Sequence, residues 1–514
     1  MNSSAVPAKR QVLLSICFAA LILPLSFSGG AVATPAIGRD LGGTPAALTW
    51  VTNAFMLSFG SCLMAAGTLA DTFGRKRVFL SGVALFVVVS ICLGLAPSVL
   101  SLDLLRAAQG IAAAAALSGG TAALAQEFDG RSRTRAFSLL GTTFGVGLAF
   151  GPLLAGALIE TLGWRAVFMS SAVVGTLALV LGTPRLRESR DPDATGLDWP
   201  GTITFTATLS LFTFGVIQAP ASGWTSPTVI ALLAGAAVLL AAFIVIETRI
   251  ARPMLDLSLF RIPRFVGVQV LPMATTCCYV ILLVLLPLRF IGIEGYSEID
   301  AGWLMIWLSA PMLIVPFTAA TLTRWLSAGL VSAVGLCIAA CGLLWLSRVA
   351  AGADAVVLPL LLIGLGTAMP WGLMDGLSVS VVPTERAGMA TGIFSTTRVA
   401  GEGVVLAIVA AVLASLSQTG LHTALPPSTP GVAARIAEAA QRIATGDLHH
   451  AAAILPEVSR PMLVQTYVDA FAVLLWVLAG ITVASAFAVA GFLRRPRPST
   501  TVLPNAVAET SPTA

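Results

Sequence analysis

Charged residues are scarce in this sequence. Asp, Glu, Lys and Arg make up 10% of the 514 residues, and 57% of the residues are hydrophobic. Soluble domains carry about 25% charged residues. So little charge cannot cover a surface that faces water, so the composition excludes an ordinary soluble protein. Most of the chain must face lipid or other apolar helices.

Histidine is rarer still, and cysteine follows no pattern. The three histidines, His422, His449 and His450, lie in one late polar segment, and the seven cysteines are scattered without a Cys-x-x-Cys pair. This arrangement predicts neither a zinc site nor a disulfide framework. We therefore expect no metal, no cofactor and no catalytic residues. An integral membrane enzyme is the alternative, and it would need a nucleophile with a base, or metal ligands, near the spans.

Long apolar runs dominate what is present. Fourteen of them are bounded by charges or turn residues, and a span needs about 20 residues. They cover residues 12–34, 48–70, 78–97, 102–126, 135–158, 164–182, 199–218, 227–248, 265–290, 301–322, 328–347, 355–382, 388–416 and 467–492. The runs are continuous rather than alternating, which excludes a β-barrel. The sequence predicts an all-α integral membrane protein.

Basic residues fall on alternate connections. With the N-terminus inside, 20 of the 29 Lys and Arg residues lie on the inner side, as the positive-inside rule requires. We expect a multi-pass protein of the inner (plasma) membrane with both termini in the cytoplasm. Residues 418–466 form a long polar segment on the outer side, interpreted as a solvated loop with a short surface helix over 433–444. Residues 498–514 are expected to be a disordered tail.

The connection between spans 2 and 3 carries a dense motif. It reads Gly67-Thr-Leu-Ala-Asp71-Thr-Phe-Gly74-Arg75-Lys76. Gly74 permits a tight reversal, and Asp71 can pair with a guanidinium group or a helix N-terminus. The segment resembles the loop motif of the major facilitator superfamily. That resemblance implies a latch that holds the inner gate closed in one conformation and breaks in the other.

Span 4 contains an arginine, in the run Arg106-Ala-Ala-Gln109-Gly110. A charge within a span is expensive and marks a functional site by default. The run resembles the family's Arg-x-x-Gln-Gly motif, which implies that Arg106 tunes a coupling carboxylate or meets substrate. The alternative is a snorkelling arginine paired with Asp103. Gln109 and Asn53 are candidate hydrogen-bonding residues of a substrate cavity.

Span 5 carries small residues at helical spacing. Gly147, Gly151 and Ala155 would let a neighbouring helix approach closely, and Pro152 and Gly156 lie beside them. The block resembles the Gly-Pro motif of the exporter branches of the family. The resemblance therefore implies export rather than import.

Two further spans follow the first six. The run Asp198-Trp-Pro-Gly201 opens one, and the other ends near Glu247. Both resemble the extra central pair of the fourteen-span drug:proton antiporter branch, the multidrug efflux type. The resemblance implies an N-terminal six-helix bundle over 1–190, two additional helices over 191–255, and a C-terminal six-helix bundle over 256–497.

Span 1 departs from that branch. Ser26 and Ala31 stand where the family pattern has an aspartate and an asparagine, so the usual coupling carboxylate is missing. The remaining candidates are Asp375 in span 12 and Glu402 in span 13. Arg398 lies four residues before Glu402 and therefore on the same helix face. The alternatives are a structural ion pair between Glu402 and Arg398, and a polar helix contact at Asp375.

These observations predict a secondary transporter. We expect a monomer in the lipid bilayer that exports small organic molecules, drugs or natural products, in exchange for protons, with no nucleic-acid partner. The alternatives with the same fold are an uncoupled facilitator and an exporter dedicated to one metabolite. Apolar packing does not name the substrate.

Overall fold

The structure of the chain is a computed structural model. It describes residues 5–128, 130–190, 198–250, 255, 257–349, 353–382, 387–425 and 432–493. The disordered tail expected over 498–514 lies outside the described residues. Within the described residues every regular element is helical.

Sixteen main helices follow one another along the described chain. The first eight are α1 (Ala5–Leu41), α2 (Pro45–Phe73), α3 (Arg75–Gly94), α4 (Val99–Glu127), α5 (Gly130–Leu162), α6 (Arg165–Gly182), α7 (Trp199–Ser222) and α8 (Pro227–Arg249). The others are α9 (Pro263–Ile293), α10 (Glu298–Leu322), α11 (Ala328–Leu346), α12 (Ala353–Ser380), α13 (Ala387–Ala424), α14 (Val432–Ala444), α15 (Leu448–Ile454) and α16 (Arg460–Phe492). A short 3₁₀ turn, Leu257–Arg261, precedes α9.

The fourteen predicted spans are confirmed. Thirteen helices are long and apolar enough to cross a membrane, and α5 is the fourteenth when its two halves are counted together. Those halves, Leu139–Leu148 and Phe150–Leu162, meet at 42°. Pro152 explains the bend, because a proline removes one backbone hydrogen bond and its ring clashes with the carbonyl four residues earlier, here Leu148.

The helices form two groups with an extra pair beside them. In the first group α1 packs on α5 and α6, α2 packs on α4, and α3 packs on α4 and α6; in the second, α9, α11, α12, α13 and α16 pack together, with α10 against α12. We call the end with the 67–77 turn the latch end, and the end with α14 and α15 the cap end. The groups meet along two crossings, α2 with α13 and α5 with α10.

The extra pair lies beside one of these crossings. Helix α7 packs on both α2 and α13, whereas α8 packs mainly on α7. Only 17% of the most apolar stretch of α8 is buried. Helix α7 therefore walls the seam between the groups, and α8 presents its apolar surface outward, as a lipid-facing helix does.

The segment after α13 differs from the prediction. Helix α13 continues to Ala424, and the expected helix over 433–444 is confirmed as α14. The interpretation of the rest as a solvated loop is wrong, because α14 and α15 bury an apolar face that includes Ile436, Ile443 and Leu448. Counting charges along the segment hid this face, since α14 is amphipathic and its polar residues lie on the other side.

The α2–α13 crossing depends on a glycine. A methyl group at Gly60 would lie 2.5 Å from the Cα atom of Ala400, so the two backbones are nearly in contact. Close approach through small residues is how helices associate in lipid, where no hydrophobic effect drives them together.

Gly60→Val should therefore weaken the fold. Overpacking a tight interface costs about 1–3 kcal/mol, and we expect a lower midpoint of thermal unfolding in detergent. Gly480→Val on α16 is the control, because a methyl group there meets nothing within 4 Å. Equal midpoints for the two variants would contradict the importance of this crossing.

Candidate functional site

Arg106 lies at the centre of the first helix group. Its side chain is fully buried, and its Nε donates to the carbonyl of Val51 at 2.7 Å. Its Nη1 donates to Ser26 Oγ at 3.0 Å and to Gln109 Oε1 at 2.5 Å. The guanidinium also lies 4.4 Å from the centre of the Phe55 ring, a favourable cation–π distance. Arg106 therefore ties α1, α2 and α4 together.

This geometry argues against the alternative interpretation of Arg106 and against the cavity role of Gln109. Arg106 does not snorkel, and the described structure shows no ion pair between it and Asp103. Gln109 does not line a cavity, because it accepts from Arg106 and donates to Ser90 Oγ at 2.8 Å inside the group. Sequence alone gives the helix face of Gln109 but not its neighbour.

Ser26 occupies the position where the family pattern has its aspartate. Its hydroxyl group accepts from Arg106 and donates to Gln109 Oε1 at 3.1 Å. Span 1 therefore contacts Arg106 through a hydroxyl group at this position. A hydroxyl group accepts one hydrogen bond from the guanidinium without offering a carboxylate that takes up protons, and Nη2 of Arg106 has no partner in the described structure.

The span 5 motif packs as its spacing predicts. Gly147 lies against Pro24, and Gly151 lies against Ser28, so α1 approaches α5 closely. Gly156 turns instead to the backbone of Glu298 at the start of α10, in the other helix group. The motif thus links the two groups near the cap end.

The latch-end turn is built around Gly74. This residue has φ of +115°, a conformation that favours glycine. Asp71 Oδ1 accepts from Arg75 Nε at 3.0 Å and from Nη2 at 2.9 Å, and Arg75 Nη1 donates to Gln126 at 2.7 Å. Glu188 accepts from the backbone N–H of Lys76 at 3.2 Å. These contacts all stay within the first helix group.

Arg398 faces the space between the two groups. Its Nη1 lies 3.3 Å from Asp375 Oδ1 on α12, and its guanidinium lies 6.0 Å from the ring of Phe144 on α5. Asp375 is 60% exposed, whereas Arg398 is 13% exposed. The ion pair of Arg398 in the structure is therefore with Asp375, which sequence spacing did not predict.

Glu402 lies on the same face of α13, one turn nearer the cap end. Ala400 contacts α2 through Gly60, and Gly403 contacts α2 through Met56. Gly401 contacts Met273 of α9. Glu402 is half-buried, and its spacing of four residues places it on the helix face of Arg398, which reaches Asp375 on α12 and Phe144 on α5. A carboxylate, a guanidinium and a second carboxylate thus line one side of the space between the two groups.

The cap end is closed by contacts that sequence reasoning missed. Arg39 at the end of α1 pairs with Glu298 of α10, which joins the two helix groups. Arg442 of α14 donates to the carbonyl of Gly43 at 3.0 Å, and Gly446 lies against Gly292 of α9. Nothing in the sequence connects Arg39 with a residue so far along the chain.

The latch end is open by comparison. The exposed side chain of Asp375 lies on this side of the seam. The described conformation is therefore closed at the cap end and accessible from the latch end.

Asn53 lines a cavity, as its sequence position suggested. The cavity has a volume of about 70 Å³ and lies between α2, α7, α9 and α13, beneath α14. Asn53 is 1% exposed, and neither polar atom of its side chain has a hydrogen-bond partner in the described structure. Among the described residues, no group of three or more His, Cys, Asp and Glu side chains is arranged to hold a metal ion.

Comparison with known proteins agrees with this architecture. The family model described as Major Facilitator Superfamily matches residues 16–406, well over half of the chain. The chain belongs to the major facilitator superfamily. Its members are transporters rather than enzymes.

Three curated relatives are named as export or resistance proteins. Multidrug resistance protein Stp of Mycobacterium tuberculosis is 34% identical over 405 residues, 78% of this chain and 75% of that protein. Cephamycin export protein CmcT of Amycolatopsis lactamdurans is 34% identical over 425 residues, 80% of this chain and 87% of that protein. The tetracenomycin C resistance and export protein of Streptomyces glaucescens is 29% identical, over 84% and 81% of the two chains.

Solved structures share the fold. An auto-inhibited peptide transporter of the POT family aligns with a TM-score of 0.62 at 16% identity, over 96% of this chain and 99% of that one. A bacterial homologue of the human lysosomal transporter Spinster, in an inward-facing and unoccupied conformation, aligns with a TM-score of 0.60 at 15% identity, over the same shares. At these identities the likeness shows the fold alone.

The Arg39–Glu298 pair should hold the cap end closed. Either single reversal, Arg39→Glu or Glu298→Arg, replaces an attraction worth up to about 1 kcal/mol with a repulsion between like charges, so we expect labelling of a cysteine introduced at Thr49 to rise by about fivefold or more. The measurement uses an impermeant thiol reagent in a background without the native cysteines.

The double reversal is the control, because it restores the pair with the charges exchanged. It should return the labelling rate to that of the parent. Additive effects of the two reversals would show that the pair does not close the cap end.

Proposed function

We propose that this chain exports small organic molecules, drugs or natural products, from the cytoplasm in exchange for protons. In this proposal it acts as a monomer in the plasma membrane, with both termini and the latch end cytoplasmic. The bias of basic residues toward that side supports the orientation. The names of the relatives support drug or antibiotic export as the substrate class.

The asymmetry of the seam carries this proposal. Contacts between the two groups close the cap end through Arg39 and Glu298 and through α14, whereas Asp375 is exposed at the other end. The two bundles, α1–α6 and α9–α16, would rock around the central space, with α7 and α8 alongside. In the described conformation a cytoplasmic molecule can enter and the outer exit is shut.

Proton coupling is assigned to Glu402. It is the carboxylate in the sequence of α13, and it lies one helical turn from Arg398, whose ion pair in the described conformation is with Asp375. Deprotonated Glu402 attracts the guanidinium toward the cap end, whereas protonation leaves Arg398 to Asp375. A proton that changes the position of Arg398 favours one conformation over the other only if the two conformations differ in affinity for it. The half-burial of Glu402 between α2 and α9, which move relative to each other, supplies such a difference.

An uncoupled facilitator is the second candidate, and one observation favours it. The first helix group places the hydroxyl group of Ser26, not a carboxylate, beside Arg106. A dedicated exporter of one metabolite would share this feature. Dependence of transport on a pH gradient separates coupled from uncoupled transport.

Glu402→Gln should abolish the stimulation of transport by a pH gradient, because the amide cannot release a proton. Ethidium accumulation in inverted membrane vesicles, with and without an ionophore, measures the stimulation. Exchange of ethidium without a gradient should remain measurable. Glu160→Gln, at an exposed position on α5, is the matched control and should behave as the parent.

Asp375→Asn distinguishes the two acids. If it loses the stimulation while Glu402→Gln retains it, the coupling site is Asp375 on α12. If both variants retain full stimulation, the assignment to this constellation is wrong. A parent protein that ignores the gradient would establish the uncoupled alternative.

Asp71→Asn should cut transport by at least tenfold while leaving the protein folded. In the described conformation Asp71 pairs only locally with Arg75, so its loss here is mild. We propose that the charge acts when the latch end closes and the two groups approach. Asp469→Asn, an exposed carboxylate on α16, is the control.

Initial rates corrected for the amount of protein in the membrane give the comparison for Asp71→Asn. A parent-like rate in this variant would show that Asp71 has no role in transport and that the 67–77 turn is only a basic connection between two spans.

A further inference from the structure

The cavity beneath α14 is lined by residues from both helix groups, from α7 and from α14. Its walls come from α1 and α2 of one group, α9 and α13 of the other, and the outer part of α7, while Gln441 and Thr445 of α14 form the roof. Asn53 lies eight residues into α2, about 12 Å from the cap end. The cavity is therefore separate from the Arg398 face, which lies nearer the latch end of α13.

Asn53 is a deeply buried polar residue of this cavity, and its side chain has no hydrogen-bond partner among the described residues. The hydroxyl groups of Thr34, Thr49 and Thr445 donate to carbonyl groups of their own helices. The carboxamide of Asn53 is 1% exposed, and its oxygen and nitrogen both lack a partner in the described structure. A carboxamide offers two donors and an acceptor with two lone pairs, and buried polar groups are nearly always hydrogen-bonded. The described residues around Asn53 thus leave its carboxamide without a hydrogen-bond partner, which a bound molecule would supply.

The lining residues also indicate that a molecule bound to Asn53 is uncharged. None of the residues that line the cavity is ionisable, and most are aliphatic, including Leu406 and Ala410 of α13. An ion would lose its hydration here without gaining a countercharge. A neutral group with a neighbouring donor and acceptor, such as an amide or a hydroxy-ketone, complements the carboxamide.

We propose that this cavity is an outer subsite that takes the amide- or hydroxyl-bearing end of a neutral, largely apolar molecule, hydrogen-bonded to Asn53. Its volume of about 70 Å³ holds one end of a drug-sized molecule rather than the whole of it. The inference rests on the proposed export function, because the subsite lies on the exit side. Opening the cap end separates α2 from α13 and displaces α14, which Arg442 ties to Gly43. The walls and roof of the subsite would then part and release the molecule.

Binding of radiolabelled chloramphenicol, a neutral molecule with an amide and two hydroxyl groups, tests the subsite. The full-length protein is used in lipid nanodiscs. Asn53→Leu keeps the size of the side chain but removes both hydrogen-bonding functions, so we expect the dissociation constant to rise at least tenfold. Asn53→Gln retains the carboxamide and should lose less affinity than Asn53→Leu.

A pair of variants on α13 tests the cavity without touching Asn53. Ala410→Phe fills the space and should reduce chloramphenicol binding at least tenfold. Ile408→Phe lies on the same helix but outside the lining, at a 37% exposed position, and should bind as the parent does. Thermal unfolding of each variant confirms that it is folded, and Ala410→Phe decides the matter if Asn53→Leu is not.

The two proposals fail in different ways. Parent-like affinity in Asn53→Leu and Ala410→Phe, or a parent protein that does not bind chloramphenicol, overturns the neutral subsite. Absence of ethidium transport by the parent protein in inverted vesicles contradicts export, whatever chloramphenicol does. Ethidium transport together with unchanged chloramphenicol binding in both variants overturns the subsite alone.

Discussion

Hydrocarbon offers no hydrogen-bond partner, and this constraint governs the whole molecule. Each backbone group of a span must be satisfied inside the protein, so the spans are helical. Many side chains obey the same constraint: Ser28 donates to the carbonyl of Pro24 at 2.8 Å, and Thr34 donates to that of Gly30 at 2.9 Å. Polar side chains that do not fold back onto their own helix are therefore the informative ones.

Three such side chains have different fates. Arg106 is enclosed by acceptors from two neighbouring helices and its own, so it stabilises the first group. Arg398 reaches Asp375 across to α12 and faces the central space with Glu402. Asn53 finds no partner in the described structure. Arg106 has acceptors for Nε and Nη1 on three helices, which indicates a structural role even though its Nη2 has no partner in the described structure. A shared partner at Arg398, or no partner for either side-chain atom at Asn53, marks the positions where a proton or a molecule can act.

The two ends of the seam differ in how polar groups are used. At the cap end Arg39 pairs with a carboxylate of the other group, and α14 extends over the join. At the latch end Asp71 and Arg75 pair within one turn of helix. A transporter that opens alternately must form contacts between its halves at one end while those at the other are broken. Exposed ion pairs suit this purpose, because each contributes little and can be exchanged.

The sequence by itself determined the spans, the all-helical fold class and the family, since twenty-residue apolar runs and the 67–77 turn are local patterns. It also placed Arg398 and Glu402 on one face, because helical periodicity fixes that relation. Only the tertiary structure decided that Arg398 pairs with Asp375, that Gln109 serves Arg106 rather than a cavity, and that Arg39 meets Glu298. Arg398 and Asp375 are separated by 23 positions in the chain, and Arg39 and Glu298 by 259. Gln109 is close to Arg106 in sequence, but its hydrogen bonds to Ser26 on α1 and Ser90 on α3 depend on tertiary packing. Helices become neighbours through close approach at residues such as Gly60. A local sequence pattern does not specify which helix packs against such a residue.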